Sequence, residues 1–391
     1  MGIFRQIRTQ DAMSNSKLRY VMTNRPLEGL KVLEFAGIGP GPFCGMMLAD
    51  MGADVVRIDR PETVPKGVGP VTGRGRRSIA LNLKTDQGRT TALALIKKAD
   101  ALFEGFRPGV MERMGLGPEV AQALNPRLVY GRMTGWGQWG PLAKSAGHDV
   151  NYVAISGALG AMGRPGEPPA PPLNLVGDYG GGAMFLLAGM LAGLLQARTT
   201  GQGMVIDAAM SDGSALLMAM FHDLQSLGLW QDKRGGNLLD GSAPFYDTYE
   251  CADGEFVSIG SIEPQFYAEL LSLTGLDTDA KFANQYDFAN WPSMKEAVAA
   301  VIVQKTRKEW IAALEGTDVC FAPVLSLAEA KRHPHNAARE TFVSYDGIVQ
   351  PAAAPRFGGV SHYPTRKAPK PGEHSEEILN SWGVRQDLAA E

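Results

Sequence analysis

Cysteine, charge of one sign and long apolar runs are all in short supply, and each shortage removes a class of protein. Only Cys44, Cys251 and Cys320 occur, far apart along 391 residues. That spacing excludes a disulfide framework and a CxxC knuckle, and it fits a reducing compartment, with the cytoplasm as the expected location. His and Cys pairs at metal-ligand spacing are missing too, so no bound metal is expected. The 38 Lys and Arg nearly balance the 41 Asp and Glu, leaving a formal charge of −3. Such a chain has no global attraction for nucleic acid or for an anionic membrane surface. Its most apolar stretch, residues 183–195, falls short of the roughly 20 residues needed to cross hydrocarbon. It reads as a buried helix, and no membrane partner is expected.

What is present describes a folded chain. Apolar residues make up 45% and charged residues 20%, which excludes disorder over most of the length. At about 150 residues per domain, the length suggests two or three domains. Glycine is abundant, with 47 residues and no period, which points to tight turns and close backbone approaches to a ligand. Residues 1–25 differ from the rest, carrying Arg5, Arg8, Lys17, Arg19 and Arg25 against Asp11 alone. They read as a disordered extension. A transit peptide, or a start assigned ahead of Met13 or Met22, are the alternatives.

From Pro26 onward the text is α/β. A strand at Leu30–Ala36 runs into the loop GIGPGP, then a helix over Phe43 to Met51 and a second strand at Asp54–Ile58. Strand-like runs at Ser78–Leu81, Ala101–Phe103 and Leu128–Arg132 alternate with helical stretches near 86–99 and 108–114. This alternation implies a parallel sheet with both faces covered. A long apolar helix over 180–197, a strand at Met204–Asp207 and a helix across 212–227 follow. Residues 231–260 turn to Gly- and Asp-rich connections and short strands, and helices resume near 264–275, 292–304 and 307–315. A Pro-rich segment after about residue 345 reads as a return strap closed by a short helix from Ser375 to Trp382. The expected division is a large Rossmann-like domain over 26–225 with 345–391 and a smaller α+β domain over 226–344.

Three constellations could carry chemistry. Gly37-x-Gly39 after a strand, with Asp59 about 20 residues on, approaches the dinucleotide fingerprint. However, Pro42 stands at the third glycine position and Pro40 has no amide N–H to offer a pyrophosphate. NAD binding is therefore not expected, and the glycines read as shaping a turn. Second, Arg60, Arg74, Arg76, Arg77, Lys84, Arg107 and Arg113 cluster in the first α/β unit, several after strand ends. They fit a polyphosphate ligand as a group, while any one of them alone fits a solvated surface. Third, His148 in AGHDVNY and Asp178 in LNLVGDYGGG lie off the apolar helical faces. Asp178 reads either as an N-cap or as a functional carboxyl. In the second case Gly180, Gly181 and Gly182 at the helix start would leave N–H donors for an oxyanion. Glu263, ahead of Pro264, reads in isolation as a helix-start acid.

The motifs PLEGLKVLEFAGIGPGPF, MGADVVRIDRP, EGFRPGVMERMGLGP, RLVYGRMTGWGQWGP, AGHDVNY, PPLNLVGDYGGG and DGSAPFYDTYECADG follow in order from Pro26 onward. Together they resemble the racemase branch of the class III CoA-transferase family. The resemblance implies an interlocked homodimer whose active site lies between one chain's large domain and the other's small domain. It implies a 2-methyl-branched acyl-CoA substrate, with no cofactor beyond the CoA moiety. It assigns His148 and Asp178 as the acid/base pair and Glu263 as the support for the histidine. The adenine and phosphate end would fall to Arg60, Leu81, Asn82, Leu83, Lys84, Gly105, Phe106, Arg107 and Arg113. Gly147, Asp149, Val150, Asn151 and Tyr152 would line the thioester end.

Racemisation needs two groups on opposite faces of the α-carbon, each able to give or take a proton near neutral pH. Asp178 would then need a raised pKa, which an apolar pocket supplies. Two other readings stay open: a CoA-transferase in which the Asp178 carboxylate attacks the thioester, and a CoA-thioester binder without catalysis.

Overall fold

The computed structural model describes residues 25–61, 69–358 and 364–385; the expected extension over 1–25 lies almost wholly outside them. Six parallel strands form the central sheet: β1 (Lys31–Phe35), β2 (Asp54–Asp59), β3 (Arg77–Ala80), β4 (Ala101–Glu104), β5 (Val129–Thr134) and β6 (Val205–Ala209). All pairs are parallel and the order is β3-β2-β1-β4-β5-β6. Strands β1 to β5 are almost continuously buried, as parallel strands covered on both faces must be. The strand order reverses between β1 and β4. In open α/β sheets a crevice opens at that reversal, beyond the carboxyl ends of the strands.

One face of the sheet is covered by α1 (Pro40–Asp50), through Leu48 and Ala49, and by a long helix carrying Leu186, Met190 and Leu194. The other is covered by α2 (Asp86–Lys98), α3 (Val110–Arg113) and α4 (Pro118–Leu124), through Leu95, Ile96, Met111 and Ala121. Helix α2 starts where Thr85 accepts the Gly88 N–H at 3.1 Å and ends on Lys97 and Lys98, in line with its dipole. After β5 come α5 (Asp149–Ile155), α6 (Ala158–Ala161) and a π-helical turn at Leu175–Ala183 that runs directly into α7 (Met184–Thr200). The combined helical run Leu175–Thr200 has 26 residues, so by length and composition alone it could cross a membrane. This corrects the shorter span read from the sequence, although half of its most apolar window is buried inside the protein.

Past β6, the helix expected over 212–227 is two helices, α8 (Met210–Leu217) and α9 (Ala219–Ser226). A second core then gathers around Phe245, Trp291 and Trp310. There β7 (Tyr246–Glu250), β8 (Phe256–Gly260) and β9 (Phe321–Pro323) make an antiparallel sheet. It is packed by α10 (Pro264–Thr274), α11 (Trp291–Ile302) and α12 (Arg307–Leu314), near the three expected helical stretches. The chain then turns back through the hairpin β10 (Phe342–Tyr345) and β11 (Ile348–Pro351).

The returning segment docks on the edge of the parallel sheet through arginines that sequence reading had grouped with the ligand-binding cations. Arg74 is 2% exposed, pairs with Asp50 and donates to Gln350 Oε1 at 2.8 Å and to Pro351 O at 2.7 Å. Arg77 joins Asp54 to Glu377 and Ser381. Trp382 donates its indole N–H to Asp54 at 2.8 Å and buries its ring beside Ile378. Arg76 is fully buried against Glu34 at 2.6 Å and donates to Pro42 O inside α1. Burial pushes the Glu34 carboxyl up and the Arg76 guanidinium down, each opposed by the partner's charge. Arg74, Arg76 and Arg77 are therefore structural cations, which corrects their place in the basic cluster.

Candidate active site

Two adjoining pockets occupy the crevice at the strand-order reversal. They share Phe35 at the end of β1 and Phe106 beyond β4. The first, of about 500 Å³, spreads over the ends of β2 and β3 and is lined by Asp59, Arg60, Leu81, Asn82, Leu83, Lys84, Phe106, Val110 and Met114. Arg60 and Lys84 are exposed at its rim. The turn between β3 and α2 is held by Asn82, whose Oδ1 accepts the Lys84 N–H at 3.1 Å and whose carbonyl accepts the Thr85 hydroxyl at 2.8 Å. Asp59, the acid that would have completed a dinucleotide fingerprint, is occupied. Its Oδ2 accepts Arg57 Nε at 2.8 Å and the Ser78 hydroxyl at 2.5 Å. Arg113 lies on α3 but is not among the lining residues of either pocket.

The second pocket, of about 420 Å³, lies over β4 and β5 and is lined by Gly37 to Gly41, Gly105 to Pro108, Met133 to Trp136, Gly147, His148, Tyr152, Asp178 and Met210. The Gly105–Arg107 wall is braced from below by Glu104, which accepts the Phe106 N–H at 2.7 Å and pairs with Arg132. Desolvation pushes the Glu104 carboxyl up to about 7, against the downward pull of those two partners. His148 is exposed and caps the start of α5, where its own N–H is accepted by Asn151 Oδ1 at 3.0 Å. Tyr152, one turn on, donates its hydroxyl to Gly147 O and stacks edge-on with Trp136 at 4.7 Å.

Asp178 is half-buried inside the π-helical turn. Its Oδ2 accepts Asn174 Nδ2 at 3.3 Å and its backbone N–H is taken by Asp149 Oδ2 at 2.6 Å. Desolvation raises its pKa above the ordinary value. The Asn174 hydrogen bond and the His148 charge pull it down, and the Asp149 charge raises it further. On its other side stands the loop between β1 and α1. Gly39 has φ +65°, and a Cβ there would lie 2.8 Å from Asp178 Oδ2. Only glycine gives this backbone both its left-handed turn and its approach to the carboxyl.

The structure thus brings His148, Asp178, Gly105, Phe106, Arg107, Gly147 and Tyr152 into one cavity, with Arg60 and the Leu81–Lys84 turn in its neighbour. Asp149, Val150 and Asn151 do not line it: Asp149 is buried beneath, Val150 is exposed, and Asn151 serves the α5 cap. Glu263 stands elsewhere, at the N-cap of α10, with Cys320 as its electrostatic neighbour. Gly180, Gly181 and Gly182 lie inside the π-helical turn rather than at a helix start. Their missing side chains serve packing: a Cβ on Gly181 would meet Ser214 N at 2.6 Å and one on Gly182 would meet Met210 at 2.8 Å. The amides that do open a helix beside the cavity are the first of α5, after His148. Sequence reading missed Gly39, Trp136 and Asn174 as site residues. Asn174 carried one usable signal, its four-residue spacing from Asp178.

The sequence matches the CoA-transferase family III profile over residues 27–375. It is 46% identical to the α-methylacyl-CoA racemase of Mus musculus over 92% of this chain and 94% of that protein. Identity to the α-methylacyl-CoA racemase of Homo sapiens is 45%, over the same shares of the two chains. Similarity extends, at 32% identity over 85% of this chain and 90% of the relative, to the acetyl-CoA:oxalate CoA-transferase of Acetobacter aceti. A crystal structure of a CAIB/BAIF family protein from Brucella suis superimposes with a TM-score of 0.79 and 27% identity, covering 92% of this chain and 100% of that one. The chain belongs to the family III CoA-transferases.

Proposed function

We propose that the protein is a racemase of 2-methyl-branched acyl-CoA thioesters, with His148 and Asp178 exchanging the α-proton. The observation that carries this reading is the shared cavity. An imidazole and a carboxyl of raised pKa line one apolar-walled pocket, which joins a second pocket rimmed by Arg60 and Lys84. The cations suit the phosphates of CoA, and the inner pocket receives the thioester. In one direction neutral His148 takes the α-proton and protonated Asp178 returns one to the opposite face; in the other direction the roles reverse. The electron pair left on the α-carbon delocalises to the thioester oxygen as an enolate. Electrons are neither gained nor lost, so this chemistry requires no redox cofactor.

A homodimer completes the proposal. Within one chain Glu263 is absent from the pocket that holds His148. Helix α9 buries none of its residues, and Leu216, Leu217, Met220, Leu227 and Leu229 are each 47% exposed or more. So large an apolar face calls for a partner surface, and a second copy would cover it and bring its own Glu263 toward His148.

The test is incubation of one enantiomer of a 2-methylacyl-CoA in deuterated water with no second acid present. The proposal expects α-deuteration with loss of optical purity. Absence of exchange, with CoA transfer appearing once a carboxylic acid is added, would instead assign Asp178 as the nucleophile of a transferase.

A further inference from the structure

Asp149 is not needed as an acid or base in the scheme above, yet its carboxylate is buried beside the cavity and bonded to the backbone of Asp178. It follows His148 directly in the chain and is 8% exposed. Its Oδ2 accepts the Asp178 backbone N–H at 2.6 Å, while Oδ1 is buried with no hydrogen-bond partner among the described residues. An acid in the first turn of a helix ordinarily serves that helix's own amides. Here the carboxylate reaches across to another segment. The reach depends on Gly177, because a Cβ at that position would stand 2.4 Å from Asp149 Oδ2.

We infer that Asp149 is a positioning residue for the reaction, a strut between the start of α5 and the π-helical turn that fixes the spacing of the His148 imidazole and the Asp178 carboxyl. One end of the strut is covalent, through the peptide bond to His148. The other is the hydrogen bond to the main chain of Asp178. Burying a carboxylate next to a second carboxyl is costly, and its charge opposes ionisation of Asp178. The other polar groups that face Asp178 are His148, whose charge favours ionisation, the Asn174 amide donor and the Tyr152 phenol, which itself feels the Arg107 charge. The strut therefore sets two properties together, the gap that the α-carbon must fill and the readiness of Asp178 to hold its proton. The inference rests on the acid/base reading of the cleft.

Two variants of the full chain test it. Asp149→Asn keeps an oxygen acceptor for the Asp178 N–H and removes the charge; Asp149→Ala removes both. Racemisation of an enantiopure 2-methylacyl-CoA gives kcat and KM, and thermal melts check folding. A 13C titration of aspartate-labelled protein follows the Asp178 carboxyl, assigned by its loss in Asp178→Asn. A slip of about 1 Å in the reacting geometry costs on the order of 100-fold, so Asp149→Ala is expected to lose about that much kcat with KM nearly unchanged. Asp149→Asn is expected to recover most of kcat, and to lower the pH midpoint of the Asp178 carboxyl. Wild-type kcat in Asp149→Ala, a loss confined to KM, or an unmoved Asp178 midpoint in Asp149→Asn would each overturn the inference. If Asp149→Ala fails to fold, Asp149→Asn decides through its titration. A wild-type chain that exchanges no α-proton would instead remove the acid/base reading, and the strut with it.

Discussion

The two ends of the cleft are built by opposite means. Over β2 and β3 the cations Arg60 and Lys84 are exposed at strand ends, and Lys84 sits on a turn held by the Asn82 side chain. Over β4 and β5 the carboxyl of Asp178 is half-buried, fixed through its backbone and side chain, and walled by a glycine with positive φ. The difference suits what the proposed reaction asks of each end. Holding a phosphate takes charge within reach and tolerates motion, whereas moving a proton at neutral pH takes a carboxyl withdrawn from water at a fixed distance. The same contrast divides the arginines: Arg74 and Arg77, buried at the sheet edge, tie the returning segment to the sheet, whereas Arg60 and Arg107 line the cleft.

Substitutions at the two ends should therefore fail differently. The largest effect is expected at the inner end, where general acid/base groups contribute about 10²–10⁴-fold each. His148→Ala and Asp178→Ala should each cut racemisation by about three orders of magnitude with little change in KM, read from steady-state kinetics. A variant near wild-type turnover breaks the comparison. Arg76→Ala touches neither end directly. It strands Glu34 without its partner in the interior, and loss of one half of a buried pair costs about 3–5 kcal/mol. Chemical denaturation should show that loss of stability, and an unchanged midpoint would contradict the buried-pair account. Gly39→Ala pushes a methyl against the Asp178 carboxyl, so kcat should fall about 10²-fold while CoA binding holds.

Smaller effects belong to the outer end and to pH. Arg60→Ala should raise KM about tenfold, the order expected for an exposed charge-assisted contact, with kcat unchanged. A fall in kcat at saturation would erase the distinction between the two ends. The smallest effect concerns stability. Because Asp178 has its folded pKa above its ordinary value of 3.8, the native state binds that proton more tightly than the unfolded state does. Its stabilising contribution is present below that value and is lost as pH rises through the folded pKa. Asp178→Asn should accordingly raise Tm at pH 7 and leave it unchanged near pH 3. A lowered Tm at pH 7 would contradict the desolvation argument.

Much of this was legible in the chain. The alternation of β-branched runs with helical stretches foretold the parallel sheet, and the Pro-rich tail read as a strap that packs back on it. His148 and Asp178 stood out because each is a polar residue among glycines rather than on an apolar face. What stayed hidden depended on contacts between distant segments. Arg74, Arg76 and Arg77 look like ligand cations until Asp50, Glu34 and Asp54 are placed beside them. The glycines after Asp178 looked like a helix start, and the structure uses them to let α8 pack closely. Gly39 was read as a turn residue only, because its second role depends on a carboxyl 139 positions later in the chain. Asp149 was read as part of the thioester lining, and only the fold shows that its carboxylate turns away toward Asp178.

The central claim is that two groups of one cavity act on opposite faces of the same carbon. It is tested most directly by following α-proton exchange into deuterated water for each pure enantiomer in His148→Ala and in Asp178→Ala. The account predicts a mirrored pattern: each variant retains exchange for the one enantiomer whose α-hydrogen faces the surviving group, with configuration kept. If both variants lose, or both keep, exchange equally for the two enantiomers, the two-face arrangement is wrong.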